Sequence, residues 1–557
     1  MNLIDTLKSA YAASMQEKQK YSVRWGKIAS LTGVVSPLAI HRVLNAGNKT
    51  STEQFEIDED IFDPTASQNV FTLANYTFTM LFGNRQRFLI KADDDADQDF
   101  YDDVAVAAND LLDDPDSNFA SAARQTLETS AIPFGNAGLV YHVDDDRKKL
   151  LFEAATCTDA CIGEGKDGKV SVLFMSKLLS PGEFEESFGE MPKEIQEALN
   201  KRKDGESKDL QVVYALTENP YYNKYAVNDS QFSKKYCGVF FCVDEDIESD
   251  WNHVNYFDWK MFVFYRNIIM RGETYARGNI DRVLSSVDSV NELTRMANDS
   301  VERMENPAIG ITAEINSDSV IDMSPGGVNV LTPMPGQNGT PMFAMQPVGD
   351  PSGILKTTMP RLDSAITQAF GLSMFLDIQP VAGMTAHQVV EGTITRNKNL
   401  LPTYLGYREQ ILLPLYNDIV SIVLKKRWYK SKYETPVSKK YKIIPLTSME
   451  EVYTSNILDK LQEISNIMTL MRQAMPQAEL LFSIYPMVAN AVKGTKYEPY
   501  LVPKAKFEER VKAAAAYQTL QNMTGGSMKG GLGTGATAGG MGSSDVGANV
   551  AAAEGAK

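Results

Sequence analysis

The chain has 557 residues, 43% hydrophobic and 23% charged, which is ordinary for a globular protein and too long for one simple domain. A formal net charge of −16 argues against a surface built to grip nucleic acid through many phosphates. Only four cysteines occur, Cys157, Cys161, Cys237 and Cys242, so no disulfide framework is implied, and no apolar run approaches the roughly 18 residues of a membrane-spanning helix.

Residues 1–34 read as helical, with Leu3, Leu7, Tyr11, Met15 and Tyr21 near one face, and suit a packing arm. The start is polar and lacks the apolar centre of a secretory signal. Pro37 to Glu59 is loop-like. Asp63-Pro64-Thr65 then gives a helix start, an N-cap followed by proline at the first helical position. Val70, Leu73, Ala74, Thr77 and Leu81 form its stripe, Gly83 ends it, and a short strand follows over Arg87 to Ile90. Helices are expected from about Asp99 to Leu112 and again after Asp116-Ser117-Asn118. From 139 to 270 the pattern is β, with strands at Leu150–Ala155, Val170–Met175, Leu210–Leu216, Gly238–Val243 and Tyr256–Ile269. An acidic helical insert, Pro181 to Lys203, interrupts them. Residues 98–270 thus read as an α+β domain.

Three features resemble chemical sites. Gly163, Gly168 and Lys169 nearly fit the spacing of a phosphate-cradling loop, but Val170 stands where a Ser or Thr should hold magnesium. Asp167-Gly168 between strands is a hairpin signal, and the hairpin is the better reading. Cys157-x3-Cys161 and Cys237-x4-Cys242 could in principle bind zinc, yet neither has the tight two-residue spacing; small core residues fit better. His41, His142, His253 and His387 are scattered with no nucleophile nearby in sequence. No catalytic residue, metal site or cofactor is expected.

The region from Arg271 to Arg427 organises the rest. A helix over Asp281 to Glu305 carries Val283, Val287, Val290, Leu293, Ala297, Val301 and Met304 in one stripe, and Asn306-Pro307 stops it. A Pro/Gly-rich insert precedes a second helix, Ser352 to Gly371, and a third runs from about Thr385 to Arg427. Paired rods of this kind have too little core of their own and need neighbours. Residues 446–522 look helical. The Gly/Ala/Ser-rich run from Thr524 to Lys557 is expected to be disordered.

Several stretches carry a resemblance. Ile61-Phe62-Asp63-Pro64-Thr65-Ala66, Leu81-Phe82-Gly83, Asp116-Ser117-Asn118-Phe119 and Phe134-Gly135-Asn136-Ala137-Gly138-Leu139 are similar to the head-to-tail connecting (portal) proteins of short-tailed, T7-like phages. So are Arg271-Gly272-Glu273-Thr274-Tyr275-Ala276-Arg277-Gly278, with Ala276 in place of the usual glycine, Met384-Thr385-Ala386-His387-Gln388-Val389, and Leu412-Leu413-Pro414-Leu415. These lie in the family's order across residues 60 to 425. The resemblance implies an α+β portal fold that forms a ring, usually of twelve copies. Its parts would be an N-terminal arm (1–60), a wing (61–280), stem helices (281–306 and 352–372), a clip (307–351), a tunnel loop (373–384), a long wing helix (385–430), a crown (431–523) and the tail (524–557).

It implies further a DNA channel at one capsid vertex of a virion assembled in the host cytoplasm. Partners would be other copies of the chain, the major capsid and scaffolding proteins, the terminase large subunit, a tail adaptor or tubular protein, and double-stranded DNA passing without sequence readout, with no membrane involved. Arg295, Arg303, Lys356 and Arg361 are the candidates for lining the channel, against the plainer expectation that they pair with Glu292, Glu302 or Asp363. Met374, Phe375, Leu376, Asp377, Ile378, Gln379, Pro380 and Val381 would form the narrowest loop. Gly392, Pro402, Gly406 and Pro414 should kink the long helix. Two readings from other classes stand beside this one. A nucleotide hydrolase would need an intact phosphate loop, and a monomeric scaffold or adhesin with a helical stalk would separate from a ring by size.

Overall fold

The computed structural model describes residues 3–35, 61–93, 97–202, 209–223, 232–243, 251–312, 322, 324–325, 327–331, 342–344, 352–372, 402–431, 433, 440–447 and 466. The chain divides into two units, 1–499 and 500–557, and every described residue belongs to the first. The expected tunnel loop 374–381, the start of the long helix (385–401) and the tail lie outside the described residues, as does nearly all of 448–523.

Helices α1 (Leu3–Gln19) and α2 (Ser22–Thr32) open the chain. The expected arm packs on its own chain: α1 lays Leu7 and Tyr11 onto a sheet, with the Tyr11 ring 5.6 Å from Phe174 and 6.3 Å from Phe241. Helix α2 buries Trp25, Ile28 and Ala29 in the main core. Helix α3 (Thr65–Phe82) starts one residue later than the Asp-Pro pair predicts: Pro64 stands at the N-cap, and Asp63 Oδ1 accepts from Thr65 N at 2.7 Å. Strand β1 (Phe88–Ala92) and helix α4 (Gln98–Asp113) follow, then α5 (Phe119–Thr126), which widens into a π turn over Leu127–Ala131.

Two antiparallel sheets fill the β region. One has the order β3-β2-β9, from β2 (Asn136–Asp144), β3 (Lys149–Ala155) and β9 (Phe262–Arg266). The other runs β4-β5-β6-β7-β8, from β4 (Ala160–Glu164), β5 (Val170–Leu179), β6 (Leu210–Glu218), β7 (Tyr236–Cys242) and β8 (Asn252–Phe257). The acidic insert is two helices, α6 (Pro181–Phe188), opened by a Ser180/Glu183 capping box, and α7 (Lys193–Lys201). The single strand expected over Tyr256–Ile269 is instead the end of β8 and all of β9, in different sheets. Met261 turns the chain between them at φ 61°, and an apolar residue gives no turn signal.

Gly163 to Lys169 is a hairpin turn. Strands β4 and β5 pair antiparallel across it, Gly168 takes φ 72°, and Gly165 N donates to Lys169 O at 2.8 Å. All four cysteines are buried and unbonded to one another. Cys237 faces the cluster under α1 and Cys242 the cluster under α6 and α7, so the two look out of opposite sheet faces.

After a 3-10 turn (Ile280–Arg282), α8 (Leu284–Glu305) begins three residues later than the stripe suggests. A small sheet follows, β11-β10-β12, built from β10 (Ile309–Thr312), β11 (Val328–Leu331) and β12 (Met342–Ala344). Helix α9 (Ser352–Ala369) returns from it. The long helix is described from 402 and passes through a π turn, Arg408–Leu412, into α10 (Leu413–Lys426). The π turn sits just ahead of Pro414, whose missing N–H breaks the helical ladder there. Residues grouped with the helical crown supply one strand, β13 (Tyr441–Pro445), which pairs antiparallel with β1 from Phe88↔Pro445 to Ala92↔Tyr441. The partner lies over 300 residues upstream, and nothing local to 441–445 points to it.

Candidate assembly and channel surface

Two of the stretches that carry the resemblance, 134–139 and 271–278, meet beside the base of α8. Asn136 sits wholly buried at the start of β2. Its Oδ1 accepts from Ala276 N at 2.7 Å, and its Nδ2 donates to Ala276 O at 2.9 Å and Phe134 O at 2.8 Å. Two glycines let the backbones approach this closely. Gly135 takes φ 78°, and a Cβ on it would lie 2.5 Å from the Arg277 carbonyl. A Cβ on Gly278 would lie 2.1 Å from Pro133 O. Tyr275 fills the space behind, its ring 5.3 Å from Tyr21 and 5.2 Å from Trp25, and its hydroxyl accepts from Ile162 N at 3.2 Å. Phe119 of the Asp-Ser-Asn-Phe run meets Phe82 edge-on at 5.1 Å.

Arg266 ties three further segments together. Only 3% exposed, it pairs with Glu164, donates to Gly168 O at the hairpin, and donates to Thr274 O at 2.9 Å. Its backbone meets Gln410 from the π turn: Arg266 N donates to Oε1 at 2.9 Å and Arg266 O accepts from Nε2 at 3.1 Å. Gln410 thereby closes the edge of β9 that β2 leaves open. Sequence reasoning missed both residues. The one available signal was Pro414, which marks the π turn that brings Gln410 inward.

Polar contacts fix the base of α8. Asp281 accepts from Gly278 N at 2.9 Å and pairs with Arg24 at 3.0 Å. Burial raises its pKa and Arg24 opposes the rise. Lys27 pairs with Asp288 at 2.8 Å, and Asn291 Oδ1 accepts from Phe62 N and Asp63 N at 2.7 and 3.2 Å.

The α8 stripe is buried only near this base. Val283, Val287 and Val290 join the core that also holds Ile366, Phe370 and Leu372. Farther along the stripe, Val301 is 54% exposed and Met304 50%, and Met296, to one side of it, is 55% exposed. Of the candidate channel cations, Arg295 pairs with Glu292 at 2.8 Å on the same helix, as the plainer expectation has it. Arg303, Lys356 and Arg361 are exposed and have no ion-pair partner among the described residues. Asp363 is not their partner; its Oδ1 is shut off from solvent without a hydrogen bond, and burial, then Asp63, raises its pKa.

Among the described residues no group of three or more His, Cys, Asp or Glu is placed to hold a metal, and no helix is long and apolar enough to cross a membrane. Burial pushes the Cys157 thiol up to about 12, the opposite of a reactive thiolate.

Residues 4–480 match a family model described as bacteriophage head to tail connecting protein. The chain belongs to that family. The connector thus comes from a structural family and is a component of the phage particle. No curated protein matches it. Two solved structures similar to the connector are titled "Neck of empty GTA particle computed with C6 symmetry" and "Virion of native gene transfer agent (GTA) particle". They share 10% and 11% identity with it at TM-scores of 0.34 and 0.33, each over 72% of the connector and 86% of the other chain.

Proposed function

We propose that the connector is a portal subunit that closes into a ring, usually of twelve copies, at one capsid vertex. Double-stranded DNA enters and leaves through its centre. One observation carries the reading: the apolar stripe of α8 is covered at its base and open at Val301 and Met304, so the rod is finished only by another surface. In this reading residues 61–280 and 385–430 form the wing, 281–306 and 352–372 the stem, 307–351 the clip, 373–384 the tunnel loop and 431–523 the crown. Strand β13, paired with β1, then belongs physically to the wing. The clip would dock the terminase motor and later the tail proteins, and the capsid and scaffolding proteins would meet the rest.

Arg303, Lys356 and Arg361 would touch passing phosphates, as would Arg295 when it leaves Glu292. The otherwise acidic chain would keep the duplex from sticking, over a screening length of about 8 Å. Met374 to Val381 would form the constriction. Electron micrographs viewed end-on, with a native mass of the purified chain, test the reading. A ring with a central hole supports it, and a stable single subunit under all conditions ends it.

A further inference from the structure

The end of α10 carries a charge pattern that the channel reading does not use. In a chain of net charge −16, Lys425, Lys426, Arg427 and Lys430 fall within six residues. Lys234 joins them in space, because Asp258 binds both Lys234, at 3.0 Å, and Lys425. Lys426 reaches Asp145 at 2.7 Å. Five cations therefore meet two bound carboxylates. Arg427 and Lys430 are exposed and have no ion-pair partner among the described residues. The turn that supplies Asp145 is itself balanced, with Asp144, Asp145 and Asp146 against Arg147, Lys148 and Lys149.

Lysines in a last helical turn complement the helix dipole, which accounts for Lys425 and Lys426. It does not account for Arg427 and Lys430. Arg427 has already left the helix at φ 53°, and Lys430 lies three residues beyond. Nor is this a loose tail: between them Trp428 packs against the main core and the Tyr429 ring meets Phe100 at 5.2 Å. The cations stand on a fixed platform.

We infer that this corner binds the phosphate backbone of double-stranded DNA outside the channel. A protein partner would want an apolar centre within the patch; residues 424–431 include no exposed large apolar side chain, and Tyr433, 53% exposed, stands beyond the last cation rather than among them. Lysines act as point charges that suit a backbone read only as charge, and the forked guanidinium of Arg427 suits a phosphate's two oxygens. The corner is also remote from the stem. Strand β2 has Asn136 at the rods' base and ends at Asp144 beside Lys426's partner, and eight steps at ~3.4 Å put about 27 Å between them.

The test uses the full-length purified chain and a fluorescent closed minicircle of duplex DNA, which cannot thread a ring. Binding is followed by anisotropy across a salt series, for wild type, for Lys426→Gln/Arg427→Gln/Lys430→Gln, and for Arg303→Gln/Lys356→Gln/Arg361→Gln. The first triple is expected to lower affinity at least tenfold and to flatten the salt slope by about 2 to 3, near 0.9 per lost phosphate contact. The second should leave minicircle binding unchanged. The proposal is overturned if the first triple binds as wild type does, or if only the second loses affinity. It is equally overturned if the first triple binds DNA normally but no longer enters heads, which would make the partner an acidic protein. Native mass on the same samples reads ring formation separately, so failure of the portal reading shows itself independently.

Discussion

Single residues at the base of the rods bear more than their size suggests. Gly278→Ala must displace a carbonyl that its Cβ would meet at 2.1 Å, and a loss of about 2 kcal/mol or more is expected in thermal or denaturant unfolding. Asn136→Ala strands the buried amide and carbonyl of Ala276 and should cost about 2 to 4 kcal/mol. Gly182→Ala, with nothing within 4 Å of its Cβ and a helical position in α6, should be neutral or slightly stabilising in the same assay. Glu153 predicts a pH dependence. Burial pushes its carboxyl up, but Lys177 at 2.7 Å and His142 at 3.9 Å more than reverse this and hold its pKa at about 2, below the usual 4.5. The unfolded chain therefore takes up this proton first. The stability Glu153 adds is present above about pH 4.5 and is lost as pH falls toward 2. Glu153→Gln should flatten the wild-type decline over that interval when melting temperature is followed against pH.

At the level of elements, the helices and most strands were legible because their signals are local. The Asp-Pro start of α3, the Val283/Val287/Val290 stripe and the Asp-Gly turn at 167–168 each need only a few neighbouring residues. Contacts between distant stretches left no such trace. Phe-Gly-Asn-Ala-Gly and Arg-Gly-Glu-Thr-Tyr-Ala-Arg-Gly could be recognised one by one. That Asn136 of the first clamps Ala276 of the second follows only from the fold. The surface candidates divide the same way: Arg295 and Glu292, three apart on a helix, could be paired from spacing, whereas the Gln410–Arg266 contact could not. The π turn makes that contact a fastening between the long helix and β9. Gln410→Ala is expected to speed amide exchange over residues 402–412 and at Arg266, while α10 beyond Leu415 keeps its protection. Uniform exchange across the whole helix would show that the fastening is not local.

For the whole molecule, the exposed end of α8 decides whether one copy suffices. Val301→Asp with Met304→Asp places two charges on an apolar stripe that this chain leaves uncovered. Since neither side chain is in the core, far-ultraviolet dichroism and melting temperature should match wild type. Light scattering should instead find single subunits or small oligomers in place of rings. Retention of full-size rings would mean that subunits join through a different surface.

The pairing of β13 with β1 also sets a schedule for synthesis. Ala92 leaves the ribosome about 350 residues before Tyr441, a delay of roughly 20 to 70 s at about 5 to 20 residues per second. Throughout that interval β1 has no strand partner on either side, and unpaired edges recruit stray strands. Neighbouring nascent chains on one messenger would carry the same open edge. Chaperone cover early in translation follows from where this one strand falls in the chain.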